Sequence, residues 1–151
     1  MNEYQMILER MSALQYKINS NDKKPRNFGT SVLLYQSEIH LIDAIGLDRE
    51  INASQLSEKL CISNGAITQG TNKLLKKKLI EKYKKETNKK EVYFRLSKQG
   101  IVAYESHRKF HQDLIDKITV YLKGLSLEQI EGILGYITVA DENLPDLTLP
   151  D

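Results

Sequence analysis

The sequence predicts a mainly α-helical fold with one small β-hairpin, and three observations predict it. Apolar residues recur at three- and four-residue spacings along most of the 151 residues, the period of helices with one buried face. That period switches once, around residues 80–96, to the alternation of paired strands. Before the switch, two short amphipathic stretches are joined by only Cys61-Ile62-Ser63, the tight connection of a helix-turn-helix.

Taken in order, Tyr4, Ile7, Met11, Leu14 and Ile18 form one narrow stripe on a helix covering residues 2–20, suited to packing on another helix. The segment from Asn19 to Gly29 is a polar loop broken by Pro25. A second helix starts at Val32 or Ser37 and runs to Ile45. Its inner face is formed by Leu34, Ile39 or His40, Leu41, Ile42 and Ile45, and Gly46 is placed to end it in a left-handed conformation. Asn52 and Gln55 have the spacing of a capping box at the start of a third helix that ends near Leu60. The fourth helix begins at Asn64 or Gly65 and runs to about Lys77. Leu56, Leu60, Ile62, Ile67, Leu74, Leu75 and Leu79 form the shared inner face of the third and fourth helices.

Ile80 to Lys84 then alternates apolar and charged residues, Lys85 to Lys90 is a polar turn, and Val92 to Leu96 returns. This is a hairpin with a lysine-rich tip. Ser97 to Gly100 caps a long helix reaching about Lys123, with Ile101, Tyr104, Leu114, Ile115, Ile118, Tyr121 and Leu122 on its apolar side. Gly124 ends it. A last helix starts after Ser126 and is lined by Leu127, Ile130, Ile133, Leu134 and Ile137. Leu144 to Asp151 is expected to be extended or frayed. The whole is a winged helix-turn-helix between N- and C-terminal helices.

Hydrophobic residues make up 40% and charged residues 28% of the chain, values ordinary for a soluble protein. No apolar run approaches a membrane span, and no signal-peptide pattern opens the chain. The single cysteine, Cys61, cannot form an internal disulfide, so the cytoplasm is the expected compartment. Its default reading is a buried small hydrophobe, with a thiol sensor as the alternative.

Charge is unevenly distributed. The net value is +2, but residues 73–98 hold eleven Lys or Arg against Glu81, Glu86 and Glu91, a local excess of +8. Such a stretch on a near-neutral chain suits a polyanion partner, although a solvated lysine-rich face has the same composition.

Element order favours double-stranded DNA as that polyanion. The second helix of a helix-turn-helix presents its N-terminal side chains to base edges in the major groove. Its exposed positions here are Asn64, Gly65, Ala66, Thr68, Gln69, Asn72, Lys73 and Lys76. The small residues allow close approach, Gln69 and Asn72 can bond adenine in pairs, and Lys73 and Lys76 reach phosphate or guanine. Lys84, Lys85, Lys89 and Lys90 of the hairpin suit phosphate or minor-groove contact. A winged-helix protein-interaction module without DNA binding is the rival. No enzyme is expected, because a phosphate-binding glycine loop, G-x-S-x-G and H-E-x-x-H are all missing, and Gly65 and Gly70 fall inside the recognition helix.

The residues resemble the MarR family of transcriptional regulators. Leu34 to Ile42 looks like that family's second helix. Leu74-Leu75-Lys76-Lys77-Lys78-Leu79-Ile80 matches its L-x-x-K-x-L-I ending of the recognition helix, and Leu96-Ser97-Lys98-Gln99-Gly100 its L-T-x-x-G exit from the wing. Asn88 and Lys90 replace the family's Asp-x-Arg wing element, which implies a looser wing. The resemblance covers nearly the whole chain and implies a single MarR-like domain over residues 1–151. Residues 1–31 and 98–151 would supply the dimerisation helices and 32–97 the DNA-binding lobe. It also implies a homodimeric repressor on a pseudo-palindromic operator, released by a small ligand. The stripes Tyr4–Ile18 and Leu127–Ile137 support the dimer independently, being more apolar surface than one small domain can cover.

His107 and His111 are four apart on one helix face, a spacing that can hold a metal ion. In the zinc-responsive branch that the chain resembles, a histidine of the second helix and a carboxylate after the first helix complete the site. His40 and Asp22 take those places, with Glu38 as a second carboxylate candidate. Imidazoles with a carboxylate suit Zn²⁺ and leave Ni²⁺, Co²⁺ or Fe²⁺ open. Three unrelated histidines are the plain alternative. An organic anion near Tyr16, Tyr35 and Tyr104 is the other effector expected.

Overall fold

The computed structural model describes residues 2–143, so the predicted tail from Leu144 to Asp151 lies outside the described residues. Helices α1 (Glu3–Asp22) and α2 (Gln36–Asp48) come first, followed by a two-residue strand β1 (Ile51–Asn52). The helix-turn-helix is α3 (Ala53–Leu60) and α4 (Asn64–Lys76). Strands β2 (Ile80–Lys85) and β3 (Asn88–Leu96) form the hairpin, and α5 (Lys98–Lys123) and α6 (Leu127–Asn143) complete the chain. The sheet is antiparallel with order β1-β3-β2. Contacts divide the chain into two compact units, Met1–Lys109 and Phe110–Asp151. The division falls inside α5.

The core of the first unit is aliphatic. Leu34, Ile39, Ile42, Ile45, Ile51, Leu56, Ile67, Leu74 and Leu79 are fully buried, each contributing about 1.5–3 kcal/mol relative to exposure. Caps set the helix starts. Asn52 and Gln55 bond reciprocally, each side chain accepting from the other's backbone N–H at 2.9 and 3.0 Å. Asn2 with Gln5 and Ser126 with Gln129 do the same for α1 and α6.

Several details differ from expectation. Gly46 does not end α2; it lies inside the helix, and Arg49 ends it with φ of 57°. The ring of Tyr104 explains the glycine, because a Cβ at residue 46 would stand 2.6 Å from it. His40 is exposed, and the inner face of α2 is Ile39, Leu41, Ile42, Ala44 and Ile45. Ile62 is exposed rather than part of the inner face, because the turn carries it past the core. Cys61 is likewise exposed; it ends α3 in a left-handed conformation with φ of 52°. The polar turn shrinks to Glu86-Thr87, since Lys85 and Asn88 already pair as strand residues. β1 escaped the sequence reading because two residues show no alternation. In the first unit, α5 buries Gly100, Ala103 and His107, while Ile101 is exposed. Gly100 is required by contact: a Cβ there would stand 1.9 Å from the carbonyl oxygen of Leu79.

Candidate nucleic-acid interface

The recognition helix α4 is held by its inner face and presents its outer one. Ser63 caps it, its hydroxyl accepting from the Ala66 N–H at 3.2 Å. Ile67, Thr71 and Leu74 are buried, and the Thr71 hydroxyl donates within the helix to the Ile67 carbonyl at 2.8 Å. Gly70 lets α4 approach α2, since a Cβ there would meet the Leu41 side chain. Asn64, Gly65, Ala66, Thr68, Gln69, Asn72, Lys73 and Lys76 are all left exposed. Among the described residues, the side chains of Gln69, Asn72, Lys73 and Lys76 have no hydrogen-bond or ion-pair partner. Two carboxamides and two ammonium groups therefore face solvent in a row, with donors and acceptors uncommitted.

The hairpin adds a second cationic edge. Lys84, Lys89 and Lys90 are exposed. Tyr83 lies opposite Tyr93 and Lys85 opposite Asn88, so Lys89 to Val92 form a bulge against the single residue Lys84. The Asn88 side-chain oxygen accepts from the N–H groups of Lys90 and Glu91 at 3.2 and 3.4 Å. Asn88 thus braces the turn locally.

Lys85 differs from its neighbours. Its ammonium donates to Glu50 at 2.7 Å and sits 4.3 Å above the Tyr93 ring. The hydrogen-bonded Glu50 carboxylate holds its pKa above the ordinary lysine value. It anchors the turn end of the hairpin to the segment after α2. Strand β1 is a second anchor: Asn52 and the Tyr93 hydroxyl both donate to the Glu91 carboxylate, at 3.2 and 2.7 Å. Arg95 pairs with Glu81 across the strands at 2.9 Å.

One residue of the site was missed. Lys77, directly after α4, donates to both carboxylate oxygens of Glu38 at 2.6 and 2.8 Å and to the Leu33 carbonyl at 2.8 Å. Its signal in the sequence was the K of the L-x-x-K-x-L-I pattern, which says nothing of its partner. Glu38 is buried and also accepts from the Tyr35 N–H at 2.9 Å. A carboxylate so occupied does not fit the metal-ligand role considered for it. The rings of His40 and His107 lie 6.1 Å apart. His40 meets Gln36 at 3.0 Å, and Asp43 lies 3.6 Å from the Nδ1 of His107. His111 and Asp22 are exposed, His111 in the second unit. Among the described residues no three His, Cys, Asp or Glu side chains are grouped to hold a metal ion.

The apolar stripes are open within one chain. Neither α1 nor α6 has a buried residue. Tyr4, Ile7, Met11, Leu14 and Ile18 on α1 and Leu127, Ile133, Leu134 and Ile137 on α6 are exposed, with Ile130 half-buried. Tyr16 and Tyr35 are exposed, and the Tyr104 hydroxyl accepts from Arg108 at 2.7 Å. No described helix is long and apolar enough to cross a membrane.

A tight helix-turn-helix, a braced basic hairpin and flanking long helices define a winged helix-turn-helix of the kind used to bind DNA. Residues 34–92 match the model of the MarR family. Over 101 residues the chain is 32% identical to the HTH-type transcriptional regulator PchR of Bacillus subtilis (strain 168), covering 67% of this chain and 60% of that protein. The chain thus spans about three fifths of the curated relatives it matches. Among solved structures, Streptococcus pneumoniae FabT in complex with DNA aligns with a TM-score of 0.71 and 28% identity, covering 96% of this chain and 99% of that one. Lactococcus lactis ZitR in complex with DNA shares the fold, with a TM-score of 0.75 and 17% identity over 94% and 97% of the two chains. The comparisons agree on MarR-family similarity over residues 34–92 and on relatives that are HTH-type transcriptional regulators.

Proposed function

We propose that this protein is a sequence-specific, DNA-binding transcriptional regulator that acts as a homodimeric, ligand-responsive repressor on a pseudo-palindromic operator. One observation carries the reading: Gln69, Asn72, Lys73 and Lys76 face solvent uncommitted on the outer side of α4. Such a row has the donors and acceptors for adenine and phosphate and no evident role inside the protein. That FabT and ZitR are seen with DNA adds support.

The dimer is supported by the uncovered apolar faces of α1 and α6. Residues 1–31 and 98–151 would supply it, leaving 32–97 as the DNA-binding lobe. Two-fold symmetry would then set two recognition helices on successive major grooves. Replacing Leu14 and Ile137 by Asp should turn the dimer into a monomer in sedimentation velocity, and a wild-type monomer would remove this part of the reading.

The experiment is fluorescence anisotropy on DNA upstream of the protein's own gene, against random competitor, with and without Zn²⁺. A DNA complex should lose about 10³-fold or more in affinity between 50 and 200 mM salt. Specific binding that changes with zinc would give the histidines an effector role, despite the occupied Glu38. Binding indifferent to zinc would direct the search to organic anions. If other promoters also failed, the winged helix would be a protein-interaction module.

A further inference from the structure

We propose that Lys77 and Glu38 are a positioning pair for the recognition helix: they fix the C-terminal end of α4 to the N-terminal turn of α2, and base discrimination depends on them without either touching DNA. The inference deepens the DNA-binding reading and rests on it.

The geometry separates Lys77 from the other cations around it. An ammonium group has three donors. Those of Lys77 meet three acceptors, Glu38 Oε1, Glu38 Oε2 and the Leu33 carbonyl, all within 2.8 Å. None is left for a phosphate. The Glu38 side chain is 4% exposed, and its Oε2 also accepts from the Tyr35 N–H. The buried Glu38 carboxylate is thus satisfied, as a buried charge must be, by a half-buried Lys77.

Its location gives it a function. Glu38 is the third residue of α2, near that helix's positive end, and Lys77 caps the negative end of α4. The loop carrying Leu33 is itself held, because Leu34 exchanges two backbone hydrogen bonds with Arg26 at 2.9 and 2.7 Å. Within α4 the hold is by Ile67, Thr71 and Leu74, contacts that set its depth but carry little directional preference, while Ser97 donates to the Lys78 and Leu79 carbonyls just beyond the helix. The Lys77 bonds are directional and act at one end, where a small slide or rotation would displace Gln69 and Asn72 from a base edge.

The test compares the wild type with the double variant Glu38→Leu/Lys77→Met, which removes both charges and leaves none buried alone, and with Lys77→Arg. An operator is first selected from a random DNA library with the wild type. Affinity for it and for random DNA is then measured across salt, and amide exchange is followed in α4 and α5. The double variant should lose about tenfold on the operator, the effect of misplacing one paired base contact. Its affinity for random DNA and its salt slope should stay unchanged. Exchange should rise within Asn64–Lys76 and not in α5, and Lys77→Arg should recover part of the preference. Equal loss on both DNAs with a flatter slope would make Lys77 a phosphate contact and overturn the proposal. So would an unchanged operator preference, even in a less stable protein. A wild type that selects no operator would defeat the DNA reading itself, while unchanged exchange in α4 would defeat the pair independently.

Discussion

Gly65 offers a test in which stability and function should move in opposite directions. It is the second residue of α4, and its backbone is ordinary helix; Gly29 is the one glycine with positive φ among the described residues. Conformation therefore does not require glycine there. Neither does packing, since an added Cβ would meet only the Ser63 hydroxyl, at 3.9 Å. Gly65→Ala should stabilise the helix by about 0.5–1 kcal/mol, raising the melting temperature by about 1–4 °C for a chain of this size. Against DNA the same methyl group would occupy the space through which the start of α4 approaches the groove. Lifting the helix by even part of a methyl diameter takes base contacts beyond hydrogen-bond range, and losing one paired contact costs about 1–3 kcal/mol. Circular dichroism melting and anisotropy on the selected operator measure the two effects. A variant that is more stable and binds as well as the wild type would show that this end of α4 does not face DNA. A lower melting temperature would show that the local packing is wrong.

Three further outcomes are expected. Gln69→Ala and Asn72→Ala should each weaken operator binding by about 1–3 kcal/mol and relax sequence preference; equal loss on random DNA in anisotropy would contradict base readout. Replacing Lys89 and Lys90 together by Ala should weaken all DNA alike and reduce the salt slope by about 2, and an unchanged slope would take the wing off the contact surface. Gly100→Ala should destabilise the protein by about 3 kcal/mol or more, because a Cβ 1.9 Å from the Leu79 oxygen forces apart a backbone contact that also receives the Ser97 N–H. An unchanged midpoint in urea would refute that contact.

The fold was legible wherever a local rule had no competitor. Asn52 and Gln55 stand three apart before an apolar stripe, and the capping box forms as written. The strand alternation of Ile80 to Lys84 has no helical reading and gives a strand. Gly46 shows the opposite case. Glycine favours a left-handed helix end, yet the same residue also permits close packing, and the partner that decides between them, Tyr104, is distant in sequence. The left-handed position fell instead to Arg49, which no local signal marks. Hydrophobicity alone points Ile62 inward, but its placement depends on the path of the turn. The outer row of α4 was readable because the apolar Ile67, Leu74 and Leu75 mark its inner face and so fix which side remains. Long-range ties such as Asn52 to Glu91 leave no periodic trace.

The basic stretch shows why charge counting locates a site better than it composes one. By count, residues 73–98 are a local excess of +8 that suits a polyanion partner. In the structure Lys77 is committed to Glu38, Lys85 to Glu50 and Arg95 to Glu81. Two of these carboxylates lie outside the stretch, so no count within it could reveal the pairing. Lys73, Lys76, Lys78, Lys82, Lys84, Lys89, Lys90 and Lys98 have no carboxylate partner among the described residues. These are the cations able to replace counterions on a phosphate backbone without first breaking a bond in the protein. The committed three do different work: Lys85 and Arg95 hold the hairpin, and Lys77 holds the helix that the hairpin flanks. A basic segment that binds DNA therefore needs internal acids as well as free lysines, because phosphate attraction alone brings the protein to any sequence, and only a fixed α4 can tell one sequence from another.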